Sequence, residues 1–187
     1  MNPASKSFLM QKQDRIILID ADVISHFISG NQISVLPTIF KYKIMVIDIV
    51  YRELCNLSRN KSETDKLINQ QKLTLMPFPE DNQDIVKEYF WIKRMMFKGA
   101  GESACMAVAK YTDNIIASSN LKDIKAYCER HSIPYITTMD FLCEALKNGQ
   151  LSLKACNVFI DRVLKAGSKL PVKRMEDHEC RELTFLH

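Results

Sequence analysis

Apolar residues in this chain fall into five short continuous runs, separated by longer segments with helical spacing of apolar and polar residues. The runs are IILID (16–20), KIMVID (43–48), KLTLMPFP (72–79), NIIASS (114–119) and IPYITT (133–138). Runs of this length predict buried strands. Because strands alternate with helices along the chain, we expect a parallel sheet covered on both faces.

The segments between these runs predict helices. They are 22–41, interrupted near Gly30 and Asn31, then 49–60, 80–98, 102–112, 121–131 and 139–149. In 49–60, the residues Val50, Leu54 and Leu57 share one face. In 80–98 the acids come first and the bases last, which suits the helix dipole. The expected fold class is therefore α/β, a three-layer α/β/α sandwich with a central, mainly parallel sheet.

Residues 15–148 account for this domain, and residues 149–187 are expected to form a C-terminal helical extension and tail. The segment 151–165 predicts an amphipathic helix, with apolar residues at Leu153, Cys156, Phe159, Ile160 and Val163. The tail, GSKLPVKRMEDHECRELTFLH, has four bases and four acids, so it is not a polybasic arm. Covering the domain, forming a homodimer and holding a protein partner are all open roles for it.

Composition limits the class of protein. With 187 residues, 47% hydrophobic and 26% charged, the chain fits one globular domain with a sizeable core. Its net charge of +4 is compatible with a nucleic-acid partner but too small to demonstrate one. The segment MNPASKSFLMQKQD lacks the apolar core of a signal peptide, and no apolar run approaches the roughly 20 residues of a membrane span. We expect a cytoplasmic protein with no membrane association.

Cysteine and histidine give no metal motif. The six cysteines form no Cys-x-x-Cys pair, and most are expected to be buried thiols. The four histidines are scattered without the spacing of a zinc site. Carboxylates are therefore the main candidates for site chemistry.

Three carboxylates fall where an α/β fold exposes the carboxyl ends of its strands. Asp20 ends the first strand, Glu53 borders the apolar face of the second helix, and Glu102 opens a small-residue helix after Gly99 and Gly101. In parallel α/β sheets, ligands bind at this edge. Convergent carboxylates repel one another, and hard cations such as Mg²⁺ or Mn²⁺, which prefer oxygen ligands, relieve that repulsion.

Each carboxylate also has a purely structural interpretation. Asp20 or Asp22 could cap the first helix. Glu53 could be a solvated residue paired with Arg52 or with Asn56, and Glu102 could complement the dipole of its own helix.

Four segments of the chain together resemble the PIN-domain family, which includes the VapC-type toxins and related RNA-cleaving nucleases. The resemblance covers residues 15–148 and is carried, in order, by IILIDADVI, VIDIVYREL, GAGESACMAVA and NIIASSNLKDI. It implies that Asp20, Glu53 and Glu102 are catalytic residues that hold Mg²⁺ or Mn²⁺, and that Asp22 supports the first aspartate. It also implies an RNA substrate, with a homodimer or an antitoxin-like protein partner as further expectations.

The chain departs from the family pattern at the fourth acidic position. Where the family has one or two aspartates after the late strand, this chain has Ser118, Ser119 and Asn120, followed by Asp123. Asp123 is the candidate fourth metal ligand, with Ser119 and Asn120 supporting the site. Alternatively, Asn120 and Asp123 have the spacing of a capping box at a helix start.

Bases beside aromatic residues precede the segment that contains Glu102. Lys93, Arg94 and Lys98 lie near Trp91 and Phe97. Such a combination can bind a nucleic-acid backbone and stack bases. A solvated basic helix end is the alternative interpretation.

The function that these features predict is metal-dependent phosphodiester hydrolysis by a nuclease, with RNA as the expected substrate. A second hypothesis is a PIN-like module that binds RNA or a partner protein with weak or no catalysis. A third is a haloacid-dehalogenase-type phosphatase, because LIDADVI resembles its Asp-x-Asp start, which supplies a nucleophile and an acid or base. That class also needs a later Gly-Asp motif, and this chain has no Gly-Asp dipeptide.

Overall fold

Strands and helices alternate along the part of the chain that the structure describes. The structure is a computed structural model, and it describes residues 15–96 and 98–186, apart from the side chains of Asp123 and Leu186. The strands are β1 (Ile16–Ile19), β2 (Lys43–Ile47), β3 (Thr74–Met76), β4 (Ile115–Ala117) and β5 (Tyr135–Ile136). The helices are α1 (Ala21–Ser29), α2 (Leu36–Ile39), α3 (Asp48–Leu54), α4 (Ser58–Asn69), α5 (Gln83–Met95), α6 (Ala100–Lys110), α7 (Leu121–His131), α8 (Thr138–Lys147) and α9 (Leu153–Lys165). Within the described ranges, no helix combines the length and the apolar content that crossing a membrane requires.

The five strands form one sheet in the order β3-β2-β1-β4-β5, and every neighbouring pair is parallel. In the register of the central strand β1, Ile17 lies opposite Ile44 of β2 and Leu18 lies opposite Ile116 of β4. Ile17, Leu18 and Ile19 are fully buried, because helices cover both faces of the sheet. The predicted three-layer α/β/α sandwich is confirmed.

The direction in which the chain builds the sheet reverses at β1. β2 and β3 lie on one side of β1, and β4 and β5 lie on the other. The backbone N–H of Asp20, just after β1, donates to the carbonyl of Ala117 at the end of β4 (2.8 Å). In open α/β sheets, the ligand-binding crevice lies outside the carboxyl ends of the strands at such a switch point.

α6 is buried along almost its whole length, from Gly101 to Ala109. It packs against α3 and α5 as well as against β1 and β2. A Cβ added at Gly101 would lie 2.8 Å from Oε2 of Glu53 on α3, so the glycine permits the close approach of the two helices. This approach brings Glu53 to the start of α6, which also carries Glu102.

The predicted helix 49–60 is correct only as far as Leu54, because the chain turns between α3 and α4. α3 ends at Leu54, with Cys55 as its C-cap, and Leu57, predicted to lie on the apolar face, is 62% exposed. The buried residues of α4 are Asn60, Thr64 and Leu67. Because α4 is mostly polar, it lacks the apolar periodicity that would have predicted it.

α5 is shorter than the predicted helix 80–98. Asn82 caps its start, since its side chain accepts hydrogen bonds from two backbone N–H groups of the first turn (3.1 and 3.2 Å). Glu80 and Asp81 therefore precede the helix, and Lys98 follows its end.

α9 packs against the first helix of the domain. Its Phe159 meets Phe27 of α1 edge-on, with ring centroids 5.0 Å apart. The predicted apolar face of α9 is buried except at Leu153, which is 41% exposed.

The tail beyond α9 covers its own domain. Met175 and Leu183 are buried. Arg181 donates to both carboxylate oxygens of Asp140 on α8 (2.8 and 2.7 Å), and Asp140 is 3% exposed. Of the roles open for the tail, covering the domain is the one observed, while a homodimer and a protein partner stay predictions.

Two cysteines depart from the expected buried thiols. Cys143 of α8 and Cys180 of the tail form a disulfide across a sequence separation of 37 residues. This spacing matches no motif, so the sequence could not predict the pair. The free cysteines of the described chain are Cys55, which is half-buried, and Cys105, Cys128 and Cys156, which are buried.

Gly30, at the end of α1, lies directly against the ring of Phe159. Its φ of −70° is open to any residue, so the ring and not the backbone requires a glycine. A Cβ there would lie 2.2 Å from Cδ2 of Phe159. We predict that Gly30→Ala lowers the free energy of unfolding by about 1–3 kcal/mol through overpacking, measured by urea unfolding.

The variant Phe159→Leu, which replaces the ring with a smaller side chain, is the matched control for this prediction. If the clash is the cause, the double variant should be more stable than the sum of the single effects. A Gly30→Ala variant as stable as the wild type would show that the ring of Phe159 does not pack tightly against Gly30.

Candidate functional site

A polar cleft of about 490 Å³ lies beside the ends of β1 and β4. Four carboxylates line it, those of Asp20, Asp22, Glu53 and Glu102. The other lining residues are Ala21, His26, Gly99, Ser119, Asn120 and Lys169. The cleft thus brings together the four acids from β1, α1, α3 and α6 that the sequence predicted for one site.

Asp20 connects β1 to α1 and is only 7% exposed. Its side chain caps α1 by accepting the N–H of Ala21 (2.8 Å). Burial raises the pKa of Asp20 well above its ordinary value, and the negative charges of Asp22, Glu102 and Glu53 raise it further. The capping interpretation is therefore correct, and it is compatible with a site role because the same carboxylate lines the cleft.

Asp22 ties the start of α1 to the end of β4. One of its oxygens accepts the backbone N–H of Ser119 (2.8 Å), and the other accepts the N–H of Val23 (2.6 Å). Burial raises the pKa of Asp22, while these N–H donors oppose the shift. With both oxygens held by the backbone, Asp22 is better suited to supporting Asp20 than to the acid or base role of a phosphatase.

Glu53 is oriented by the start of α6. The backbone N–H of Gly101 donates to Oε1 of Glu53 (2.8 Å), at a helix end where negative charge is favoured. Arg52 pairs with Asp48 instead (3.0 Å), so one of the two predicted alternative partners of Glu53 is engaged elsewhere. Glu102, in the first turn of α6, is 7% exposed.

Hydrogen-bonded hydroxyl groups connect several of the side chains that line the cleft. Ser119 donates from its hydroxyl to Oγ1 of Thr138 (2.6 Å) and accepts the backbone N–H of Thr138 (3.0 Å). Nδ1 of His26 lies 2.9 Å from the same Thr138 oxygen. The hydroxyl oxygen of Ser118 lies 3.4 Å from one oxygen of Asp20 and 3.4 Å from one oxygen of Asp22, and its single proton can be donated to either.

His26 and Lys169 line the cleft without having been predicted. His26 lies one helical turn after Asp22, so the helical periodicity of α1 could have placed both at one site. Lys169 comes from the segment after α9, and no local pattern in the sequence connects it to the carboxylates. Burial lowers the pKa of His26 to about 4, so the ring is neutral at physiological pH.

The predicted bases of α5 lie outside the cleft lining. Lys93 and Arg94 are exposed, Trp91 is 46% exposed, and Lys98 is half-buried just before Gly99. Phe97 and the side chain of Asp123 lie outside the described part of the structure. Neither the nucleic-acid role of the bases nor the ligand role of Asp123 is decided, so both stay predictions.

The donor set of the cleft suits a hard divalent cation. It consists mainly of carboxylate oxygens, with no thiolate in the lining. Among the side chains that the structure describes, no three His, Cys, Asp or Glu residues form a ready-made metal site. Mg²⁺ is commonly bound through one or two carboxylates plus water and substrate phosphate, so the cleft fits such a cation without a full cage.

Comparison of the chain with protein-family models and with curated proteins gives no match. The resemblance to PIN domains stays a prediction.

Protonation of His26 should oppose folding. Its folded pKa of about 4 lies below the ordinary 6.5, so the stability it contributes is present above pH 6.5 and is lost as the pH falls toward 4. We predict that the stability of the wild type relative to His26→Gln falls by up to about 3 kcal/mol between pH 7 and pH 4. Urea unfolding of both proteins across this range measures it. Parallel pH profiles would contradict a buried neutral imidazole.

Proposed function

We propose that the protein is a metal-dependent phosphodiester hydrolase, and specifically an endoribonuclease. The observation that carries this proposal is the crowding of carboxylates around Asp20 in a cleft at the switch point of the sheet. Burial and the charges of Asp22, Glu102 and Glu53 raise the pKa of Asp20. In a purely structural site, repulsion between these carboxylates opposes folding. A bound cation would instead attract each of them.

Asp20 and Glu102 would hold the cation, because both are buried carboxylates at the cleft. Glu53, held by the N–H of Gly101, would complete the acidic set. Asp123 stays a predicted fourth ligand. A bound Mg²⁺ or Mn²⁺ would activate water for in-line attack and stabilise charge on the phosphate.

The other residues of the cleft would fix the positions of the ligands. Asp22 joins α1 to the backbone of Ser119, which sets the position of Asp20 relative to β4. The hydroxyl of Ser119 is engaged with Thr138, which favours water over this serine as the nucleophile. RNA as the substrate rests on the resemblance to PIN domains.

A non-catalytic RNA-binding module is the second candidate. It is favoured by the lack, within the described part of the chain, of a three-residue metal-binding group. Binding of RNA without cleavage in the presence of Mg²⁺ or Mn²⁺ would support it.

The proposed activity is tested by RNA cleavage with purified variants. We predict that the wild type cleaves single-stranded RNA with Mn²⁺ and not with chelator, and that Glu53→Gln cleaves about 100-fold more slowly, because it loses a charge with little change in volume. Glu63→Gln is the matched control, since Glu63 lies on α4, pairs with Lys66 and is absent from the cleft lining. Its cleavage should equal that of the wild type.

Circular dichroism should be the same for all three proteins. If Glu53→Gln cuts as fast as the wild type, the activity comes from another site or from a contaminant, and the proposal fails.

A further inference from the structure

A second groove, of about 440 Å³, lies between α1, α4 and α9. Its lining residues are Ser29, Asn31, Arg59, Arg162, Lys165 and Ala166. Three of these six are bases and none is an acid, the reverse of the carboxylate cleft. We call it the basic groove.

Two parts of the chain, α1 and the end of α9 with the residues after it, contribute lining residues to both the basic groove and the cleft. Along α1, Asp22 and His26 line the cleft and Ser29 lines the basic groove. At the end of α9, Lys165 lines the basic groove, and Lys169 lines the cleft four residues later. The two depressions therefore lie along the same helix, and the end of α9 leads from the basic groove to the cleft.

The arginines of the basic groove are held by the end of α1. Arg59 of α4 donates to the carbonyl of Ile28 (3.2 Å), and Arg162 of α9 donates to the carbonyl of Gly30 (3.5 Å). The negative end of the helix dipole favours both cations. One N–H of each guanidinium is used in this way, which leaves further donors for an anion.

Lys165 of the basic groove and Lys169 of the cleft add positive charge that the rest of the chain neutralises only weakly. Lys165 pairs with Asp161 (2.7 Å), but the two side chains are 75% and 59% exposed, so the pair contributes little. Lys169 is exposed at the rim of the cleft, and the neighbouring Leu170 packs against the core. Met175, 3% exposed, anchors the segment further along.

We propose that an RNA strand with a phosphate in the carboxylate cleft continues across the basic groove, with Arg59, Arg162, Lys165 and Lys169 contacting its backbone phosphates. This inference rests on the proposed function for the identity of the strand. α1 rises about 10 Å from Asp22 to Ser29 at 1.5 Å per residue. That length exceeds the roughly 3.4 Å axial rise per nucleotide of a duplex strand, so the path can hold more than one phosphate.

The positions of the bases relative to the cleft favour this path over one along α5. The bases of α5 are absent from the cleft lining, and Lys93 is hydrogen-bonded to Tyr89 (3.4 Å) on its own helix. Lys169, in contrast, belongs to the cleft itself.

The test measures the salt dependence of RNA binding by fluorescence anisotropy, with a labelled 12-nucleotide single-stranded RNA between roughly 50 and 300 mM KCl. A Glu102→Gln background without added metal prevents cleavage and removes one repelling charge. For single strands, each phosphate contact contributes about 0.7 to the slope of log affinity against log salt. Combining Arg59→Gln, Arg162→Gln and Lys169→Gln should reduce that slope by about 2.

Matched variants separate a local contact from a general loss of charge. Lys154→Gln with Lys173→Gln removes two charges from another groove beside α9 and should leave the slope unchanged. Arg59→Lys with Arg162→Lys keeps the charge and should retain most of the slope. Thermal melts of every variant check that the fold is intact.

The outcomes distinguish this inference from the proposed function. If the wild type cleaves RNA but the triple variant keeps its slope, the basic groove is not the path, and the hydrolase proposal stands. If the slope falls but the wild type never cleaves, the groove binds RNA and the hydrolase proposal fails. A slope that falls only in Lys93→Gln with Arg94→Gln would assign binding to α5 and overturn the inference. No RNA binding in this assay overturns the inference, whereas the hydrolase proposal is decided by the cleavage assay with Mn²⁺.

Discussion

Repulsion between carboxylates at one end of the sheet is the constraint on which the rest of the site depends. The buried carboxylate of Asp20 stands at the end of the central strand, where helices α3 and α6 also deliver Glu53 and Glu102. Its pKa is raised by burial first and by its acidic neighbours second. A folded chain that keeps such a group ionised loses stability, which is a common feature of functional sites.

The fold limits this cost with backbone N–H donors. Ala21 and Gly101 donate to Asp20 and Glu53, and Ser119 donates to Asp22. Each bond also fixes the direction of a carboxylate, because the donor belongs to the start of a helix or the end of a strand. The same contacts that make the crowding tolerable therefore keep the site in place for a cation.

The fold could be predicted from the sequence where local pattern and topology agree. The apolar strands, the small-residue helix α6 and the position of Asp20 after β1 follow from periodicity and from the rule that ligands bind at strand ends. α4 could not be predicted in this way, because its buried residues include Asn60 and Thr64 and its pattern is polar.

The remaining features depend on contacts between residues far apart in sequence. Lys169 reaches the cleft only because α9 packs on α1 and the tail is held by buried Met175 and by the pair of Arg181 with Asp140. No spacing rule connects such a residue to the carboxylates. The bases of α5 show the limit of closeness in sequence, because their nearness to Glu102 along the chain did not place them in the lining of the cleft.

The melting temperature of the wild type and of Asp20→Asn, each with and without Mn²⁺, tests the central claim most directly. The raised pKa of Asp20 means that its charged form destabilises the metal-free fold above its ordinary pKa, so at pH 7 Asp20→Asn should melt about 2–4 °C higher than the wild type without metal. With Mn²⁺ at about 100 times its Kd, the wild type should gain roughly 5–10 °C and the variant much less. Asp84→Asn, an exposed acid of α5, is the control and should gain as much from Mn²⁺ as the wild type does. An equal response of the wild type and Asp20→Asn to Mn²⁺ would contradict the account.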